Sequence, residues 1–219
     1  TYNLQNRLAR VTTTRDPGGT PVQTVTEYRY NPNGIRVGKT ATTSAGTTET
    51  TCLIDPRNPT GYAQVLEETI DRYDASETWL GSDRIQYTVG DDVVSQTKSQ
   101  WTGGVWQSAP TQHLLYDGHG STRCLIDPTG QPLSGQIFRY DAYGNAIGFD
   151  TAAALTGLLY SGEQFDQPTG LQYLRARYYD LATGRFNRLD PFFGNIRDPL
   201  SLHKYLYVQA DPINAIDPT

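Results

Sequence analysis

The sequence predicts an all-β fold assembled from consecutive hairpins, and three observations carry that expectation. Tyr (15 residues), Gly (21) and Pro (13) are abundant, and Thr is frequent, in a 219-residue chain. Tyr and Thr favour strands, while Gly and Pro supply turns. A short unit recurs, in which Tyr is followed by Asp or Asn and then by a stretch closing on Gly. Finally, no stretch shows a convincing 3.6-residue apolar period.

The repeated unit appears as Tyr30-Asn31-Pro32-Asn33-Gly34, Tyr116-Asp117-Gly118-His119-Gly120, Tyr140-Asp141-Ala142-Tyr143-Gly144 and Tyr179-Asp180-Leu181-Ala182-Thr183-Gly184. A degenerate copy opens the chain at Tyr2-Asn3, and Tyr73-Asp74 has lost its Gly. Each copy reads as one hairpin. Tyr ends a strand with its ring on the packed face, Asp or Asn bonds the backbone two residues on, and Gly takes the positive φ of the turn.

The flanks agree with this. Ile85, Tyr87 and Val89 alternate before Gly90-Asp91-Asp92, and Trp101 and Trp106 bracket Thr102-Gly103-Gly104. Leu114 to Tyr116 run into one turn, and Arg123 to Ile126 leave it toward Asp127-Pro128-Thr129-Gly130. Ile137 to Tyr140 lead to the next Tyr-Asp turn. Lys39 to Thr51 is rich in Thr and Ser and reads as a long polar hairpin or a mobile loop, the place where order is expected to be poorest. A short helix is expected only within Thr151 to Leu159. A soft boundary near 110 separates divergent hairpins (1–110) from a denser, more motif-like half (111–219).

Composition excludes several classes. The net charge of −5, without a Lys/Arg cluster, is a poor match to nucleic-acid binding. The longest apolar stretch, around Ala152 to Tyr160, is too short to span a bilayer. Met is absent and the first residue is Thr1, so the chain is expected to be a processed or excised piece of something longer. Cys52 and Cys124 each open a Cys-Leu-Ile-Asp-Pro pentapeptide and are expected to be free, packed thiols.

Other chemistry-bearing residues are sparse. His113, His119 and His203 lack metal-ligand spacing, and no cofactor is implied. His119 reads as an exposed turn residue. Ser121 and Ser161 lack a G-x-S-x-G setting, and Gly118-His119-Gly120 is too short for a nucleotide loop. Arg175 and Arg177, alternating with Leu174 and Ala176 on an expected strand, read as partners of Glu163 or Asp166, the alternative being that they face a shell interior. The Tyr rings read as packing between neighbouring hairpins, at roughly 0.2–1 kcal/mol per cross-strand pair. Exposed Tyr and Trp leave a glycan-binding role as an alternative.

From about Leu114 onward the residues resemble the RHS-repeat-associated core. The resemblance runs through Tyr116 to Arg123, Tyr140 to Asn145, Tyr160 to Asp166 and Thr169 to Asp180, and closes on Gly184-Arg185-Phe186 and Asp190-Pro191. It covers about half of the chain, and the string Gly170 to Phe186 is its most specific part. The first 110 residues resemble divergent YD repeats.

This resemblance implies a hairpin ribbon that spirals into a hollow β-shell. In bacterial polymorphic toxins and insecticidal toxin complexes such a shell holds a C-terminal toxin, and teneurins use a similar one in cell adhesion. The implied protein is secreted or at the cell surface. Its implied partners are the rest of its own shell and a C-terminal toxin or effector segment. Open ribbon edges on an isolated segment are expected to lead either to self-association or to a compact closure unlike the parent shell.

The family also implies a candidate enzyme. The shell's end often resembles an aspartyl autoprotease carrying two Asp-Pro-x-Gly motifs, with cleavage just after the second. Two carboxylates held close share one proton and can act as general base and acid. Asp190 and Asp217 stand where the two belong, 27 positions apart, which is longer than the pattern. Gly194 comes one position late, and Asp198-Pro199 competes as the first member. Asp-Pro occurs seven times in all, at Asp16, Asp55, Asp127, Asp190, Asp198, Asp211 and Asp217. The competing expectation is therefore that these are turns sealing the shell end.

Overall fold

The computed structural model describes residues 1–16 and 20–217. Pro17 of the first Asp-Pro, and Pro218 and Thr219 of the last, lie outside the described residues. Among the described residues the regular structure is antiparallel β-strand, with four short 3₁₀ turns. It divides into two compact units: Thr1–Leu114 with Ile126–Gln131, and Leu115–Leu125 with Pro132 onward.

The first unit is an antiparallel ribbon. Its strands are β1 (Arg10–Arg15), β2 (Val22–Tyr30), β3 (Arg36–Thr43), β4 (Gly46–Asp55), β5 (Gln64–Asp74), β6 (Trp79–Val89), β7 (Val93–Thr102) and β8 (Val105–Ser108). Each of β1 to β6 pairs with the next in sequence, and β8 folds back on β7. Trp101 and Trp106 face each other across that last hairpin, edge to face at 5.4 Å. The start of β9 (Gln112–Tyr116) also pairs with β7, through Ser95↔His113 and Gln96↔Gln112.

The stretch from Lys39 to Thr51 forms the regular β3–β4 hairpin, so of the two readings of it the hairpin is the one that forms. Branched Thr side chains suit a pleated strand, and Thr42 and Thr47 meet across it with hydroxyls 3.3 Å apart.

Burial separates the two units. Among the described residues, five apolar side chains are buried in the first (Leu8, Tyr28, Tyr87, Val93 and Leu114) and eleven in the second. Most other buried side chains of the ribbon are polar, Thr26, Thr50, Ser82, Ser95, Gln96 and Ser99 among them. Such a sheet carries no thick apolar layer of its own.

In the second unit β10 (Thr122–Ile126) and β11 (Pro132–Ile137) follow β9 in strand order. A separate four-stranded sheet holds β12 (Gln164–Asp166), β13 (Leu171–Leu174), β14 (Arg177–Asp180) and β15 (Arg185–Phe186), paired in sequence order. Its core gathers Tyr160, Leu174, Tyr179, Phe186 and Tyr207. The short helix expected within 151–159 is present as a 3₁₀ turn at Thr151–Ala153. Three further ones stand at Tyr160–Gly162, Pro199–Leu202 and Val208–Ala210, where the sequence predicts no helix. Each is a single turn, too short to leave an apolar period in the sequence.

The Tyr-led turns share one geometry. The N–H of Asp117 donates to the Ser121 carbonyl and that of Gly120 to the Asp117 carbonyl, both at 3.0 Å. Asp117 Oδ1 accepts from the N–H groups of His119 and Ser121 at 3.0 and 2.9 Å. Asp141 repeats the arrangement with Tyr143 and Asn145, and Asp127 with Thr129 and Gln131. The fourth residue sits at positive φ, +78° at Gly120 and +91° at Gly144. The degenerate copies keep the geometry at the expense of backbone strain, because Asn6 (φ +56°) and Glu77 (φ +64°) occupy the glycine position.

The motif tyrosines also share a contact that spacing alone does not reveal. Three of their hydroxyls donate to a main-chain carbonyl of an earlier unit, Tyr30 to Leu8 (2.7 Å), Tyr140 to Thr122 (3.0 Å) and Tyr179 to Tyr143 (2.9 Å), and Tyr160, outside the repeat, does the same to Ala142 (2.8 Å). The ring packs while its polar tip is satisfied. Tyr116 is half-buried and Tyr179 fully buried.

Candidate functional site

The β13–β14 hairpin turns on Arg175 and Ala176, with Leu174 opposite Arg177. Arg175 is therefore in the turn, at φ +46°, and not in a strand as the alternation suggested. It makes the expected ion pair, Nη1 to Glu163 Oε1 at 2.7 Å.

Arg177 begins β14, 6% exposed, with its guanidinium 3.6 Å from the centroid of the Phe186 ring. It does not take Glu163 or Asp166 as partner. Nη1 lies 2.8 Å from Asp190 Oδ2, an ion pair off the line of a straight hydrogen bond, and Nη2 lies 3.1 Å from Asp217 Oδ2, to which it donates. The two carboxylates singled out in the sequence thus meet on one buried cation.

Local turns hold both acids. Asp190 donates its N–H to the Lys204 carbonyl (2.9 Å), and its Oδ1 accepts the N–H of Phe192 (2.8 Å). The backbone of Asp217 lies beside the Tyr207 hydroxyl. Burial pushes the Tyr207 hydroxyl up, and the nearby Asp217 and Glu163 carboxylates add to the shift. The competitor Asp198 sits elsewhere. It opens the turn Pro199–Leu202, and its Oδ2 accepts from Gln209 Nε2 at 3.2 Å.

Sequence reasoning missed Arg177 as the bridge. The one available signal was a cation inside the apolar string Leu174 to Tyr179, which demands a counter-charge once buried.

His119 corrects a second expectation, since it is half-buried and bonded at both ring nitrogens. Nδ1 lies 3.1 Å from Ser161 Oγ and Nε2 lies 3.1 Å from the Ala215 carbonyl. The ring also packs against Tyr160, with centroids 5.2 Å apart. His113 is exposed on β9, and His203 Nδ1 accepts the N–H of Tyr205 at 3.3 Å. Cys52 and Cys124 are both free thiols, as expected.

A hairpin ribbon followed in sequence by a unit with an aromatic core defines an all-β, antiparallel fold class. The comparisons with known proteins specify it further. The chain is similar to the tRNA nuclease WapA of Bacillus subtilis (strain 168), 35% identical over 105 residues, which is 47% of this chain and 4% of that protein. It is also similar to the probable deoxyribonuclease RhsB of Dickeya dadantii, 30% identical over 191 residues, 87% of this chain and 12% of RhsB. Among solved structures, TcdB2-TccC3 without its hypervariable C-terminal region shares the fold. It has a TM-score of 0.73 and 24% identity, over 100% of this chain and 10% of that one. No family model matches. The chain thus resembles RHS-repeat, polymorphic-toxin proteins, and it spans about a tenth or less of the length of these relatives.

Proposed function

We propose that the chain forms wall and closure of a hollow β-shell that encloses a C-terminal toxin or effector segment, in a protein acting outside the cell that makes it. The observation carrying this reading is the contrast between the units. The first is a ribbon with few buried apolar side chains, suited to a wall that curves around contents. The second is a packed unit clasped by Arg177, suited to an end. The relatives named as nucleases support a toxic payload. Among the described residues, no helix is long and apolar enough to cross a membrane.

Limited proteolysis of the protein, expressed with all the sequence its gene encodes, tests the enclosure. The segment downstream of Thr219 is expected to resist protease until the shell is denatured. Digestion as fast as that of the same segment expressed alone would remove the reading.

A second reading, autoproteolysis by Asp190 and Asp217, is favoured by the meeting of both acids on Arg177. Both oxygens of Asp190 are engaged, Oδ1 by Phe192 and Oδ2 by Arg177. Acid–base work on a peptide bond therefore requires Arg177 to release at least one carboxylate. Mass analysis of the full protein tests it: splitting downstream of Asp217 is expected in wild type and absent in Asp217→Asn.

A further inference from the structure

The half-buried His119 lies outside the two carboxylates yet contacts the segment that carries one of them. Its Nε2 faces the carbonyl oxygen of Ala215 at 3.1 Å. A carbonyl only accepts, so Nε2 carries the proton, and in the neutral ring Nδ1 is left with a lone pair. Ser161 Oγ, 3.1 Å from Nδ1, is then the donor. With its only proton given to the imidazole, Ser161 Oγ can take part with the Tyr207 hydroxyl, 3.5 Å away, only as acceptor. Tyr207 therefore donates to Ser161, and the backbone of Asp217 lies beside its hydroxyl.

The relay runs from the Tyr207 O–H to Ser161 Oγ, from the Ser161 O–H to His119 Nδ1, and from His119 Nε2–H to the Ala215 carbonyl. One end of it holds the backbone at Ala215, two residues before Asp217. The middle is anchored in the fold. Ser161 sits at φ +52°, a position that an L-residue adopts only under constraint, and its N–H donates to Ser121 Oγ at 3.0 Å. Tyr207 is 1% exposed and stacks on Tyr179. Tyr160 adds a further tie, its hydroxyl lying 3.3 Å from the Pro212 carbonyl.

We infer that His119, Ser161 and Tyr207 are positioning residues for Asp217, fixing the chain that carries it so that its carboxylate meets that of Asp190 at Arg177. The inference rests on the autoproteolytic reading given above. The relay acts by orientation, and a displacement of about 1 Å in a reacting group costs on the order of 100-fold in rate.

The test uses the protein with all the sequence its gene encodes, followed by intact-mass analysis of the split fraction against time. His119→Leu keeps bulk and removes both bonds, and cleavage is expected to slow by roughly 100-fold. His119→Gln restores one donor and one acceptor and is expected to recover most of the wild-type rate. Ser161→Gly deletes the hydroxyl while relieving the positive φ, so it keeps the fold if His119→Leu does not, and it is expected to slow cleavage as His119→Leu does. Cleavage abolished by Asp217→Asn but unchanged in His119→Leu or Ser161→Gly would overturn the inference and leave the autoproteolytic reading intact. Equal slowing by His119→Leu and His119→Gln would also overturn it, because the hydrogen bonds would then be irrelevant. An uncleaved wild type, or splitting that survives Asp217→Asn, would sink the reading itself, and the positioning role with it.

Discussion

The ring of Tyr207 stacks on that of Tyr179 with centroids 4.2 Å apart and planes 24° from parallel. Tyr179 is the motif tyrosine of the last Tyr-Asp turn, whereas Tyr207 lies in a stretch with no repeat motif at all. The pair joins the segment carrying Asp217 to the four-stranded sheet carrying Arg177, so the acids are held by an aromatic contact as well as by charge. Both side chains are essentially buried. Tyr207→Ala is expected to destabilise the protein by about 3–5 kcal/mol, as truncation of a large buried aromatic does. Denaturant unfolding followed by near-UV circular dichroism measures this.

Arg177 is the second test of the same region. Arg177→Met keeps much of the side-chain volume and leaves Asp190 and Asp217 facing each other without a cation. Its carboxylate partners are partly exposed, so the loss falls between that of a surface pair and that of a fully buried one, at about 2–3 kcal/mol. Arg177→Lys keeps the charge but cannot reach two carboxylates with one planar fork, and an intermediate loss is expected. Chemical denaturation of the three proteins in parallel gives the ranking.

Glycine positions separate turn geometry from packing. At Gly144 (φ +91°) an added Cβ meets the Tyr160 ring and Leu181 Cδ2 at 2.6 Å. Gly144→Ala is therefore expected to cost about 1–3 kcal/mol, from overpacking and left-handed strain together. The reverse holds where a degenerate repeat forces Glu77 to φ +64°. Glu77→Gly relieves that strain and is expected to stabilise by up to about 1 kcal/mol, the larger unfolded-state freedom of Gly offsetting part of the gain. Thermal melts of the two variants should move in opposite directions.

The Asp-led turns predict an acid limb in stability. Burial alone would raise the Asp117 carboxyl, but the Ser121 N–H, the Arg123 side chain and the His119 N–H outweigh it and hold it below the ordinary 3.8. Hydrogen bonds from Thr129 and Ser76 depress Asp127 and Asp74 in the same direction. A carboxyl depressed by folding contributes stability that is fully present above its unfolded value. That stability is lost as pH falls through the folded one. Asp117→Asn is therefore expected to be less stable than wild type at neutral pH, with the gap closing below pH 3.8. A series of unfolding curves from pH 7 to pH 2 checks the sign.

Much of this protein was legible in the chain itself. The Tyr-Asp-x-x-Gly turns are local, because each Asp bonds N–H groups two and four residues on and each Gly supplies its own φ. Nothing distant is needed to form them, so a motif such as Tyr140 to Gly144 specifies its hairpin wherever it stands. Thr-rich strands and the single-turn 3₁₀ elements show the reach and the edge of that logic. The choice between hairpin and loop from Lys39 to Thr51 resolved to a hairpin through cross-strand pairing, and the turn at Val208–Ala210 was too short to leave a period.

What only the tertiary structure decided is which distant groups face one another. Asp190 and Asp217 were visible as candidates, but neither spacing nor composition indicated that Arg177 would bridge them, or that Asp198 would take Gln209 as its partner instead. His119 looked like any polar turn residue until the chain near Ala215 was brought against it. Local hydrogen bonds depend on sequence neighbours, whereas a buried cation takes whichever carboxylate the packing of aromatic rings delivers to it. That choice is settled by the fold around Tyr179, Phe186 and Tyr207.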